Sequence, residues 1–195
     1  MKVTVVFHSV CGNTYLMAKE IYKNFLRKGI DAGIYRVKDD DLKELSHNYP
    51  IINEYLDEIL QIPIIDLETI LESDYIFLGS PTYFGNVSAE MKAFMDSFSP
   101  LWSDGKLFGK KLVAFTSCGD PQGGGQVCLR SINTFAQHMG MLPIPIPANL
   151  SSKKSYPAYG MMHCSGDMGD NRLDECTKDD IKKLINLLVK KQTIL

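Results

Sequence analysis

The chain has 195 residues, with 21 Lys plus Arg against 23 Asp plus Glu and a formal net charge of −2. That length suits one domain over residues 1–195, long enough to bury roughly 70% of its unfolded surface without a staple. The near-neutral balance excludes a general nucleic-acid binder, which needs a basic face to displace counterions, and 45% apolar residues exclude a disordered chain.

The chain opens on Val3-Thr4-Val5-Val6-Phe7, a β-rich run far too short to cross a membrane. Met17, Ala18, Ile21, Tyr22 and Phe25 then recur at helical spacing, and Gly29 is a natural stop. Ala32 to Val37 reads as a second strand. Residues 39 to 65 fit short helices or a long excursion punctuated by Pro50 and Pro63. Tyr75 to Leu78 is a third strand, followed by a helix with Ser88 as N-cap and Met91, Phe94, Met95 and Phe98 on one face. Leu112 to Phe115 is a fourth, before a helix carrying Leu129, Ile132, Ala136 and Met139. Leu142 to Ile146 reads as a fifth strand, placed at an edge by Pro143, Pro145 and Pro147. In the last helix Thr177 and Asp180 have capping-box spacing ahead of Ile181, Leu184, Ile185 and Leu188.

Five βα units with right-handed crossovers build an open parallel sheet covered on both faces. Ligands of such sheets bind beyond the carboxyl ends of the strands, near the switch in strand order. The loops at residues 8–14, 80–87 and 116–125 therefore converge on one site.

In the first loop, Ser9, Asn13 and Thr14 supply side-chain donors, and Gly12 lets the backbone approach a ligand. The helix start that follows favours an anion. No Lys or Arg lies between His8 and Lys19, so neutral donors would hold a phosphate, or the loop is only a capped helix start. GxxxxGK[ST] and GxGxxG are both absent here. A cysteine phosphatase needs an Arg six residues after its nucleophile, and Met17 stands there after Cys11. In the second loop Pro81 and Gly85 bracket Tyr83 and Phe84, which either cap the core or flank a flat ring. Three consecutive glycines, Gly123 to Gly125, make the third loop either a close approach to a ligand or a flexible turn.

The five cysteines (Cys11, Cys118, Cys128, Cys164 and Cys176) are odd in number and lack CxxC spacing. This fits a reducing cytoplasm better than a disulfide framework or structural zinc. His163-Cys164 has no convergent partners, so no metal is expected.

The order HSVCGNT, GSPTYFGNVSAEMKAFMD, LWSDGKLFGKK, FTSCGDPQGGGQ and HMGM resembles the flavodoxin-like NAD(P)H-dependent FMN and quinone reductases. The tryptophan-repressor-binding-protein-like branch is the most similar. The resemblance implies a flavodoxin-like three-layer α/β sandwich whose five-stranded parallel sheet runs 2-1-3-4-5. It implies FMN as cofactor, with the phosphate at Ser9, Val10, Cys11, Gly12, Asn13 and Thr14. Pro81, Thr82, Tyr83, Phe84, Gly85 and Asn86 would flank the isoalloxazine; Ser117, Cys118, Gly119, Asp120 and Gly123 would meet its pyrimidine edge. A His matching His138 reaches the flavin and a Trp matching Trp102 contributes to the quinone pocket. NAD(P)H would be the co-substrate, a quinone-like molecule the acceptor, and a homodimer or homotetramer the assembly. A flavodoxin-type electron carrier or a flavin-bearing regulator is the alternative.

Overall fold

The computed structural model describes residues 1–191. The β-branched and aromatic runs form parallel strands β1 (Lys2–Phe7), β2 (Asp31–Arg36), β3 (Tyr75–Pro81) and β4 (Lys111–Cys118). β1 and β3 are buried almost throughout, which explains their unbroken apolar character. The order is β2-β1-β3-β4, with Val3 in register with Ala32 and Tyr75, and Tyr75 with Lys111.

The far edge departs from the expected single fifth strand. β5 is only Leu142–Pro143, paired with Lys111 and Leu112, and β6 (Met161–Cys164) continues along β4 from Phe115 to Cys118. The sheet therefore has six strands, five of them in the order 2-1-3-4-5. Ile144 N still donates to Leu112 O at 2.8 Å, but Ile146 N donates to Ala158 O at 3.0 Å within the intervening excursion. Proline fixes φ near −65°, whereas a parallel strand needs about −120°. Alternating prolines at 143, 145 and 147 thus steer the chain off the ladder, and Ile146 and Leu150 bury in the core instead.

Alternation along β1 feeds two cores. Val3, Val5 and Phe7 meet α1 (Asn13–Leu26) and α8 (Glu175–Lys191) on one face. Val6, Ile76 and Leu78 meet α5 (Ala89–Asp96) and α7 (Gly125–His138) on the other. Each fully buried Phe, Leu or Met contributes about 1.5–3 kcal/mol. Between β2 and β3 lie α2 (Leu42–Asn48), a 3-10 turn (Pro50–Glu54), α3 (Leu56–Gln61) and α4 (Leu67–Glu72). Ser88 caps α5 as expected, its Oγ accepting from Met91 N at 3.2 Å. At α8 the expected cap is displaced: Asp174 Oδ1 accepts from Thr177 N at 2.7 Å, and Thr177 and Asp180 are buried within the helix. Among the described residues no helix is long and apolar enough to cross a membrane.

α5 returns from the carboxyl end of β3 to the opposite end of the sheet, where α6 (Ser99–Trp102) leads to the start of β4. Gly109 N donates there to Gly140 O at 2.9 Å, just beyond the end of α7.

Candidate functional site

The strand order brings the carboxyl ends of β1, β3 and β4 side by side, and polar contacts lock their loops together. His8 N donates to Gly79 O at 3.0 Å, and Thr82 N to Ser117 O at 2.8 Å. Hydroxyl contacts at 2.8 Å join Thr14 Oγ1 to Ser117 Oγ, buried, and Thr82 Oγ1 to Thr116 Oγ1, partly buried. Gly124, at φ 83°, has no room for a side chain, because a Cβ would lie 2.7 Å from Gly85 Cα. The second and third loops therefore touch at their backbones.

In the first loop no acceptor among the described residues takes a hydrogen bond from the amides of Ser9, Val10, Cys11 or Gly12. Gly12 sits at φ 90° at the start of α1, and a Cβ there would lie 2.4 Å from the Tyr55 ring. Asn13 donates Nδ2 to Gly169 O at 2.6 Å and leaves Oδ1 buried without a partner. A run of unpaired amides at a helix start, beside an unpaired acceptor, suits a phosphate ester that also carries hydroxyls.

The second loop is a two-residue turn. Tyr83 N donates to Asn86 O at 2.9 Å and Asn86 N to Tyr83 O at 3.0 Å. Its central residues are both left-handed, Phe84 at φ 51° and Gly85 at φ 76°, the pattern of a type I′ turn. Tyr83 is 43% exposed and Phe84 fully exposed, so neither caps the core. Left-handed backbone at a bulky residue is strained. Burial pushes the Tyr83 phenol up to about 12, with Cys11, Glu90 and Asp39 adding to it, so it keeps its proton. Below it, His8 Nε2 lies 2.9 Å from Asp39 Oδ2 and 3.7 Å from Glu90 Oε2. Burial works against Asp39 ionising, but the His8 contact and the amides of Asp41 and Leu42 outweigh it and hold the carboxyl below its usual range.

In the third loop the Gly119 and Asp120 amides also lack an acceptor among the described residues, while Gly123 N is used up on Asp120 O at 3.0 Å. Two free amides on one strand end can meet the carbonyl edge of a heterocycle.

His138 and Trp102 are not brought to these loops within one chain. His138 ends α7, whose 14 residues begin beside the third loop and so carry it about 20 Å away. Trp102, 62% exposed, ends α6 at the opposite end of the sheet. A groove of about 630 Å³ between α5 and α7 runs from Asn86 and Val87 to His138.

One residue placed against the first loop escaped sequence reasoning. Arg172 donates Nη1 to Cys11 O at 2.7 Å and to Gly169 O at 2.9 Å, pairs with Glu54, and lies 5.1 Å from the centre of the Tyr55 ring. A cation thus stands against a loop that contains none of its own. Its contact with Glu54 holds that carboxyl below its usual range.

Residues 1–155 match the model of a family described as NADPH-dependent FMN reductase. The chain is 32% identical to an NAD(P)H dehydrogenase (quinone) of Archaeoglobus fulgidus over 161 residues, covering 82% of this chain and 83% of that protein. It is 31% identical to a protein of the same description from Chromohalobacter salexigens over 181 residues, covering 89% and 88%. Among solved structures, a WrbA-like flavodoxin from Agrobacterium tumefaciens superposes with a TM-score of 0.64 at 20% identity, covering 97% of this chain and 98% of that one. The match runs through all three loops, and the chain belongs to the NADPH-dependent FMN reductase family.

Proposed function

We propose that the three loops hold FMN and that the protein passes electrons through it from NAD(P)H to a quinone or similar flat acceptor. The observation that carries this reading is the pairing of two amide sets without acceptors among the described residues, Ser9–Gly12 and Gly119–Asp120, with an outward aromatic turn at Tyr83–Phe84. Such a frame matches a phosphate, a flat ring and the ring's carbonyl edge. FMN, when bound there, supplies a centre that accepts hydride and returns two electrons.

The chain's own part is binding, orientation and charge. The first-loop amides and the start of α1 hold the phosphate without a side-chain salt bridge. Thr14–Ser117 and Thr82–Thr116 fix the relative position of the loops, so the cradle is preformed. The Gly119 and Asp120 amides favour negative charge at the ring edge they face. Tyr83, protonated across the physiological range, offers a neutral donor rather than a charge.

Trp102 and His138 join this site only as residues of a neighbouring copy, which agrees with a homodimer or homotetramer. Exposed Phe108 (85%) and Leu142 (52%) lie at the same end of the sheet as Trp102, as an apolar face suited to such a contact.

Steady-state kinetics test the reading. FMN-loaded protein should oxidise NAD(P)H with a benzoquinone as acceptor, and double-reciprocal plots at several quinone concentrations should be parallel, since the donor leaves before the acceptor enters. Tight FMN binding without NAD(P)H oxidation would identify an electron carrier instead.

A further inference from the structure

Cys118 closes β4 and Cys164 closes β6, and the two are register partners in parallel strands. Adjacent strands lie about 4.8 Å apart, inside the span of about 4.4–6.8 Å that a disulfide bridges. Both side chains point to the same side of the sheet, with their Sγ atoms 4.0 Å apart. The ladder continues past them: Ser165 N donates to Cys118 O at 2.8 Å and Gly166 N to Gly119 O at 2.9 Å. The backbones on both sides of the pair are therefore fixed, and side-chain rotation is the movement left to close the remaining gap. All five cysteines are free thiols.

The two thiols differ in a useful way. Cys118 is 3% exposed, whereas Cys164 is half-buried and reachable from solvent. Burial, with Cys164 beside it, pushes the Cys118 thiol up. An oxidant arriving from solvent therefore meets Cys164 first, with Cys118 held beneath it as the second sulfur.

We propose that Cys164 and Cys118 form a dithiol site that hydroperoxides oxidise to an intramolecular disulfide in the folded protein. The Cys164 thiolate attacks one peroxide oxygen, the O–O bond breaks, hydroxide leaves, and Cys164 carries a sulfenic acid. Cys118 sulfur then attacks Cys164 sulfur; the S–S bond forms as the S–O bond breaks, and the Cys118 proton leaves with the hydroxyl as water. The released hydroxide takes up the proton that Cys164 lost on ionising, so the cysteines together give up two electrons and hydrogen peroxide ends as two waters. The site stands on the β4–β6 geometry alone and does not depend on what the three loops bind.

FMN-loaded protein is treated with hydrogen peroxide, quenched with N-ethylmaleimide and mapped without reduction. Two thiols should disappear from alkylation, and a cross-link should join tryptic peptides 112–130 and 155–172. Fragment ions must place it at Cys118 rather than Cys128, and dithiothreitol must reverse it. Cys118→Ala should leave Cys164 trapped as a dimedone adduct, while Cys164→Ser should leave Cys118 unmodified. Wild-type Cys164 running on to sulfinic acid, a cross-link through any other pair, or five unchanged thiols would each overturn the proposal.

Discussion

Arg172 shows how one distant residue can set the geometry of a loop. A peptide unit is planar and trans, so its C=O and N–H point opposite ways. By holding Cys11 O, Arg172 turns the Gly12 N–H away from itself, which leaves it free for the phosphate we propose. Arg172→Gln should weaken FMN binding about 10-fold, the worth of roughly 1.4 kcal/mol, and leave riboflavin binding within about 2-fold because riboflavin lacks the phosphate. Fluorescence titration with both ligands checks this, and an equal loss for both would contradict a role at the phosphate loop. Phe84 makes the complementary case. Its left-handed backbone is strained and its side chain packs against nothing. Phe84→Gly should therefore stabilise the ligand-free protein by about 0.5–1 kcal/mol while weakening FMN binding, read by thermal denaturation and titration. Lower stability would mean that the turn is not strained. The loop residues were legible in sequence because each loop follows an apolar strand and opens a helix. Arg172 was not: it meets Cys11 across 161 positions, with no periodic signal linking them.

At the scale of elements, strands β1, β3 and β4 could be read from their apolar runs, since burial on both faces leaves no polar alternation to mislead, whereas β2 is a half-buried edge strand. The fifth position could not. Leu142 to Ile146 has strand-like alternation, but proline geometry and the burial of Ile146 decide where the chain goes. α8 carries a similar lesson, because Thr177–Asp180 has the spacing of a capping box while Asp174 holds the cap. Asp174 also pairs with Lys154 in the excursion at 2.8 Å, and Tyr156 donates to Asp180 at 2.9 Å. Burial opposes ionisation of Asp174, yet Lys154 and the Thr177 amide and hydroxyl outweigh it and hold its carboxyl far below the usual range. Asp174→Ala should cost about 1 kcal/mol at neutral pH. Because the folded-state value is the lower one, this contribution is whole above the unfolded value of about 3.9 and shrinks as pH falls through the interval below it. Urea denaturation of both proteins at neutral and acidic pH measures it; a gap that widens on acidification would contradict the assignment.

Over the whole molecule, the sequence located three loops at one end of a sheet, and the fold assembles them through β1, β3 and β4. It could not show that His138 and Trp102 lie at the other end, because helix length and strand direction, not residue type, fix their positions. The tertiary fold thus separates the end that carries the three loops from the end that carries His138 and Trp102, which we propose meets another copy. Light scattering should accordingly report a dimer or tetramer, and Trp102→Ala should lower quinone turnover with FMN affinity unchanged. A monomer that retains full quinone turnover would remove both residues from the acceptor site. The most direct test of the central claim needs one anaerobic cuvette. Purified protein is loaded with FMN, the excess is removed, and NADH or NADPH is added while the visible flavin spectrum is followed. Retained flavin that bleaches on addition and regains its colour when a quinone follows is the predicted result. Flavin that washes out, or stays bound and coloured with both nucleotides, would contradict the account.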